Sequence, residues 1–293
     1  MGSSTTLVTD TDIATLDAAA ARTWRGTEEA PLGGWLLRAG EGFTGRANSA
    51  LTAGDPGLPL PEAAARVRRW YTARGLTPMA SVSYPAGQPD RNPVDRFLAG
   101  QGWRLRDEAE VIVMTRPAAG PAAPPAPRAA GAPRAARPER WPSPPIRFDD
   151  QPGDDWLALY HFRGQPDLPP IARTIMTSAP WQAFASVRDG DRTVAIGRVA
   201  GTGASPGSAR GTHWAGLTAI EVAPDYRRRG LAAAITSALV AQAAERGADR
   251  VYLQVEDDNE PALALYHRLG FTVHHGYHYR IAPAQPQPQP RRA

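Results

Sequence analysis

A chain of 293 residues with 42% apolar side chains is long enough for two domains, each with its own core. It contains no Cys, which removes thiol nucleophiles, Cys-based zinc sites, iron–sulfur clusters and disulfides, and permits a reducing compartment. The net charge of +4 is concentrated in residues 117–146, with four Arg and one Glu, and in Arg291 and Arg292, so the remaining residues sum to −1 and offer no basic groove for nucleic acid.

All 33 basic residues are Arg, which reads as a coding bias rather than a functional signal. No apolar run reaches membrane-spanning length and the N-terminus lacks a charged-then-apolar leader; Met1-Gly2 with Thr6 meets only a short myristoylation pattern. The chain reads as soluble and cytoplasmic, with no membrane or nucleic-acid partner.

In chain order, Gly33-Gly34-Trp35-Leu36-Leu37-Arg38 and Gly42-Phe43-Thr44-Gly45-Arg46-Ala47-Asn48-Ser49 predict strands around a turn, which either build a sheet or complete an acceptor cleft. A helix begins at Pro61, after Gly54-Asp55-Pro56-Gly57-Leu58-Pro59. Then come Arg74-Gly75, a strand near Met79 to Tyr84, Asn92-Pro93 with a short helix, and Gly102-Trp103 with a strand to Met114. Residues 117–146 hold ten Pro and ten Ala, a composition that cannot bury a core and predicts a disordered linker.

Beyond the linker, Trp156 to Tyr160 carries helical spacing, and Trp181 to Val187 and Thr193 to Val199 alternate as a hairpin around Asp189-Gly190-Asp191. A calcium site at that turn would need more oxygen ligands. A strand from Trp214 to Val222 runs through Pro224 and an Arg-rich turn into a helix from Gly230 to Arg246, closed by Gly247. Arg250 to Val255 predicts a strand, Asn259 to Leu269 a helix ended by Gly270, and Phe271 to Ile281 a last strand. The Pro/Gln tail predicts disorder. This alternation implies an α/β sheet with ligand chemistry at strand ends. The order strand, Asn-started helix, Gly, strand occurs in both segments and suggests an internal duplication. The expected organisation is 1–116, linker 117–146, 147–281 and tail 282–293.

The residues with most chemical content are Ile220-Glu221-Val222-Ala223-Pro224-Asp225-Tyr226-Arg227-Arg228-Arg229-Gly230-Leu231-Ala232. Amides at a helix N-terminus lack intrahelical partners and, with the helix dipole, suit a pyrophosphate. Gly230 permits close backbone approach and Ala232 keeps the next turn open. Neither G-x-G-x-x-G nor a Gly-Lys-Ser/Thr ending is present, so the turn is not a dinucleotide fingerprint or a P-loop. Downstream lies Asn259-Glu260-Pro261-Ala262-Leu263-Ala264-Leu265-Tyr266-His267-Arg268-Leu269-Gly270-Phe271.

Together the two motifs resemble the GNAT superfamily of acyl-CoA-dependent N-acyltransferases, through its R/Q-x-x-G-x-G/A loop at Arg227, Gly230 and Ala232 and its N-x-x-A-x-x-L-Y-x-x-x-G-F helix. The resemblance covers about 147–281. The first segment looks like a degenerate copy, as in actinobacterial tandem members, so the implied fold class is two tandem GNAT-like mixed-sheet α/β (α+β) domains. By the same resemblance, backbone at Ile220 and Val222 pairs with pantetheine, and amides from Arg228 through Arg229, Gly230 and Leu231 to Ala232 hold the pyrophosphate of acetyl-CoA. Asn259 faces the pantetheine or acyl end, and Tyr266 sits near the thioester sulfur as the acid for the leaving thiolate.

Glu221 is the first candidate for the base. In the ribosomal-protein Nα-acetyltransferases that this half also resembles, a Glu twelve residues before the catalytic Tyr is the base; here Gln254 stands there and cannot take a proton, which leaves a water relayed from Glu221 or Glu256. Strand alternation puts His274 and His278 on one face and His275 on the other, with Tyr277, His278 or Tyr279 as acceptor-lining candidates; His267 points away from Tyr266's direction. No metal is required. The first segment has no Arg and Gly turn before its helix and only Leu98 or Ala99 where Tyr266 would align. The expected activity is acetyl transfer from acetyl-CoA to an amine acceptor, a small molecule or a peptide N-terminus. Its rivals are a mycothiol-synthase-like role and a non-catalytic acyl-CoA-binding regulator. Variable loops such as Gly201 to Gly211 carry no code for the acceptor, and a monomer is compatible with the tandem.

Overall fold

The computed structural model describes residues 8–106, 110–120, 145–160, 168–203 and 212–284. Residues 121–144 of the expected linker, the tail from 285 and residues 204–211 of the loop after Gly201 lie outside the described residues.

The chain begins with α1 (Asp10–Thr23), started by a capping box in which Thr9 Oγ1 accepts from the Asp12 amide and the Asp12 carboxylate accepts from the Thr9 amide. There follow β1 (Glu28–Leu32), β2 (Trp35–Ala39), β3 (Ala50–Leu51), α2 (Leu60–Thr72), β4 (Met79–Pro85), α3 (Pro93–Gly100), β5 (Arg104–Leu105) and β6 (Val111–Pro117). The second half has β7 (Arg147–Asp149), α4 (Asp154–Leu159), α5 (Ile171–Met176), β8 (Trp181–Asp189), β9 (Arg192–Gly201), β10 (Trp214–Val222), α6 (Leu231–Glu245), β11 (Arg250–Glu256), α7 (Glu260–Arg268) and β12 (Thr272–Ile281). The predicted hairpin is β8 and β9, turning at Gly190 with φ 56°.

These strands form one mixed sheet in the order β1-β2-β3-β4-β12-β6-β11-β10-β9-β8-β7, with β5 also on β12. The strands do not sort by half. β6 comes from the first half yet lies between β11 and β12, and β12, the last strand, pairs with β4 and β5 of the first half. The repeated order has a counterpart in space: β3 and β4 are a parallel pair, as are β10 and β11, with α2 and α6 as the connecting helices. Asn92 and Asn259 each begin the next helix, their side-chain oxygens accepting from Val94 N (2.8 Å) and Ala262 N (3.2 Å).

Of the face assignment expected for the β12 histidines, the opposition of His275 and His278 holds, and the placing of His274 with His278 fails at a bulge. The register of β12 on β6 shifts between Val273 and His275, so two successive residues oppose one and alternation is interrupted. His274 and His275 come side by side, Nδ1 to Nδ1 at 2.8 Å, and His275 Nε2 lies 3.2 Å from Asp17 Oδ1 on α1. Burial, then the neighbouring His275, lowers the His274 pKa to about 4. Past the bulge, Tyr277 and Tyr279 pack with Leu16 and Val113. His278 and Arg280 point the other way, to the buried Asp95 of α3: His278 Nε2 is 2.6 Å from Asp95 Oδ1, and Arg280 donates to both carboxylate oxygens at 2.7 and 2.8 Å.

This cluster fastens the chain's last strand to the first half. Burial alone would raise the Asp95 pKa, but Arg280 and His278 outweigh it and bring the pKa to about 2. Asp95→Ala should destabilise the fold by about 3–5 kcal/mol, because it leaves a guanidinium uncompensated. The group's folded pKa is depressed, so its contribution is complete above the ordinary Asp range near pH 4 and disappears as pH falls through about 2. Urea unfolding of both proteins from pH 7 to pH 2 checks this: the two curves should converge at the acid end.

Candidate active site

The site is built where β10 leaves β11. Their parallel ladder runs from Trp214 opposite Arg250 to Leu217 opposite Leu253 and stops there, although both strands continue. Ala219 adopts φ 54°, and the register of β10 on β9 slips between Thr218 and Glu221, so β10 bends toward β9 and away from β11. β11 stays paired to β6 on its other edge through Gln254, Val255 and Glu256. The facing edges of 218–222 and 254–256 are thereby left without a ladder partner, and a gap opens at the C-terminal ends of two parallel strands.

The first half closes the same place. Beyond Leu51, Thr52 donates to Ser81 O through its amide (3.2 Å) and its hydroxyl (2.9 Å), which keeps β3 against β4. The following loop is packed by the Gly33-Gly34 turn, where a Cβ on Gly33 would fall 2.3 Å from Pro56 backbone.

Above the open gap, the turn 223–230 ends at Gly230, which is the N-cap of α6 with φ 90° and no capping side chain. The first amides of α6 therefore have no intrahelical acceptor and point out of the helix start. Internal contacts set the turn: Arg192 holds the Asp225 carboxylate by two bonds (2.6 and 3.0 Å), Tyr226 Oη donates to Asp189 (2.6 Å), and Arg229 donates to Asp225 O (2.9 Å). Arg227 Nε donates to Val222 O (3.2 Å), so its guanidinium braces the turn. Arg228 is exposed with φ 66°, Leu231 is buried and Ala232 lies in the first helical turn.

Ile220 and Val222 pack into the core under α6, and Glu221, between them, alternates to the opposite face. Tyr266 of α7 enters the α6 core and meets Phe271 edge-on, with ring centroids 6.0 Å apart. Burial, and after it the charge of Glu221, pushes the Tyr266 hydroxyl up to about 12. Tyr160, in the core under α4 and α5, is also raised, first by burial and in part by Glu221. Glu221 is thus felt by tyrosines from cores on both faces of the sheet. Asn259 is exposed, and its side-chain oxygen is occupied as the cap of α7.

The face that Glu221 shares was largely missed from sequence. Arg198 of β9, opposite Thr218, is fully buried; it donates to Met176 O (2.7 Å) and Thr23 O (3.0 Å), the ends of α5 and α1, where helix dipoles favour a cation. Burial lowers its pKa to about 9. Its signal was an Arg at an inward position of an alternating strand, in line with Val194 and Ile196. Trp24 lies between two cations, with Arg46 at 4.4 Å and Arg198 at 5.2 Å from its ring. Arg46 of the first half donates to Gln254 Oε1 at 2.9 Å, so the segment Gly42 to Ser49 reaches the gap. Of the acceptor-lining candidates, Tyr277 borders a cavity of about 20 Å³ with Gln254 and Arg46, whereas His278 faces Asp95. Among the described residues, no three His, Asp or Glu side chains gather as a metal-binding set, and no helix is long and apolar enough to cross a membrane.

A parallel pair that parts beneath an uncapped, glycine-started helix, within one mixed sheet, defines the class as GNAT-type acetyltransferases. The family model described as "Probable histone acetyltransferase Rv0428c C-terminal" matches residues 10–280, and the chain belongs to that family of acetyltransferases. It is 33% identical over 280 residues to the probable histone acetyltransferase Rv0428c of Mycobacterium tuberculosis, covering 93% of this chain and 74% of that one. A GCN5-related N-acetyltransferase from Kribbella flavida shares the fold with a TM-score of 0.60 at 16% identity, covering 93% of this chain and 96% of the other. A tandem GNAT protein from the clavulanic acid biosynthesis pathway gives 0.52 at 16% identity, over 77% and 70%.

Gly230 supplies a direct test of the turn. No atom lies within 4 Å of a Cβ placed there, so Gly230→Ala meets only the cost of the left-handed backbone, about 1–2 kcal/mol. Urea titration of the two proteins should show that loss.

Proposed function

We propose that the protein transfers an acetyl group from acetyl-CoA to a primary amine, with the gap between β10 and β11 as the reaction site. The observation that carries this reading is the gap itself: two unpaired strand edges lie below the free amides of α6, with Tyr266 on one side and Glu221 at the edge. The pantetheine arm, an amide-bearing chain, would take the place of a strand along Ile220 and Val222, and the pyrophosphate would take the amides from Arg228 to Ala232.

The amine attacks the thioester carbonyl, a C–N bond forms, and the tetrahedral oxyanion collapses with cleavage of the C–S bond. Tyr266 keeps its proton throughout the neutral range because of burial and the charge of Glu221, and it is suited to deliver that proton to the departing thiolate. The amine's own proton passes to Glu221, directly or through a water. Gln254 accepts a hydrogen bond from Arg46 and acts in positioning.

Tyr266→Phe tests the assignment. Turnover should fall by about 10²- to 10⁴-fold while calorimetric affinity for acetyl-CoA stays within about twofold of the unaltered protein. Unchanged turnover would remove Tyr266 as the acid. Saturable acetyl-CoA binding without turnover on a broad amine panel would favour a regulator that binds the acyl-CoA.

A further inference from the structure

Resting on the acetyl-transfer reading, we propose that the acceptor is a carboxylate-bearing primary amine of the amino-acid type, and that Arg46, on the first half of the chain, receives its carboxylate.

The segment carrying Arg46 is a built platform. Asn48 Oδ1 accepts from the amides of Gly40 (2.8 Å) and Gly42 (2.9 Å), and its Nδ2 donates to the carbonyls of Phe43 (2.8 Å) and Thr44 (2.9 Å). Thr44, at φ 62°, accepts from Trp24 Nε1 at 2.9 Å. The Arg46 guanidinium lies over Trp24 and reaches Gln254, the first residue of β11 past the end of its ladder with β10. A side chain of the first half therefore stands where the gap of the second half begins.

Arg46 is short of partners. Gln254 is the single hydrogen-bond acceptor that it uses among the described residues, and no carboxylate among them pairs with it, so several N–H donors of a planar fork remain for a ligand. The surrounding charge favours an anion: Arg38 and Arg198 are buried beside the half-buried Arg46, no carboxylate among the described residues pairs with them, and they bond to Ser49 and to the ends of α5 and α1. Among the described residues, the carboxylates on this side are Asp17 and Glu221, two against these three guanidinium groups. Glu221 lies opposite Ile196 on β9, two residues from Arg198, and Arg46 reaches Gln254, so a zwitterion would set its carboxylate at Arg46 and its ammonium toward Glu221, the proposed base. A lysine-rich peptide would bring further positive charge against Arg38, Arg46 and Arg198.

The test measures kcat and KM for carboxylate-bearing primary amines of graded length, for their carboxamides, and for a lysine-rich peptide, with the full-length protein and with Arg46→Ala and Arg46→Lys. The ratio of variant to unaltered protein cancels the intrinsic reactivity of each amine. Arg46→Ala should raise KM for the carboxylates by about 10- to 100-fold more than for the matched carboxamides, and Arg46→Lys should recover part of that difference. Equal losses on carboxylates and carboxamides would reduce Arg46 to a structural contact and overturn the proposal. Preference of the unaltered protein for the lysine-rich peptide, or transfer to none of the carboxylates, would overturn it too. Calorimetric titration with acetyl-CoA separates the two readings: if acetyl-CoA binds and selectivity fails, this proposal alone falls, and if acetyl-CoA does not bind, the acetyl-transfer reading falls with it.

Discussion

The parting of β10 from β11 after Leu217 and Leu253 governs what this structure can do. A sheet ordinarily satisfies the amides and carbonyls of its strands from both sides. Here the left-handed backbone at Ala219 and the slip against β9 carry β10 away, while β6 holds β11 in place. The result is a slot lined by main-chain groups, directly below the start of α6. In the first half, the equivalent β3 and β4 stay in contact past their ladder, where Thr52 donates to Ser81 O through both its amide and its hydroxyl.

The first half contributes in another way. By placing β6 between β11 and β12, it keeps β11 paired through Glu256, beyond the point where its ladder with β10 ends. By receiving β12 against β4, and by holding it through Asp95, it makes the sheet continuous across both halves. Its loop 40–49 then reaches over the opening, with Trp24 and Arg46 facing the side that Glu221 occupies. These contributions follow from the exchange of strands and need no chemistry inside the first half itself.

Much of this was legible in the sequence, for identifiable reasons. The hairpin at Gly190, the glycine-started α6 and the asparagine-capped α7 depend on local rules of turn and cap, and they stand where those rules put them. The duplicated order of strand, helix and strand was legible for the same reason. Strand exchange was not, because the pairing partners of β6 and β12 lie far away in sequence, and alternation tells only which face a residue takes. The bulge before His275 escaped for a related reason, since one extra residue reverses every face beyond it. Arg198 announced itself as a charge on an apolar face, but its partners at the ends of α1 and α5 required the fold. Arg46 lay within a segment read as a strand beside a turn, in the sheet or the acceptor cleft; Gly42 to Ser49 folds instead as turns, and its meeting with Gln254 spans the two halves.

The central claim is that the unpaired edge of β10 and the first amides of α6 receive the acyl carrier. Amide hydrogen exchange, measured residue by residue with and without saturating acetyl-CoA, tests it most directly. The account predicts new protection confined to 218–222 and 228–233, with the corresponding 52–60 of the first half unaffected. Unchanged exchange at 218–222, or protection appearing instead at 52–60, would contradict it.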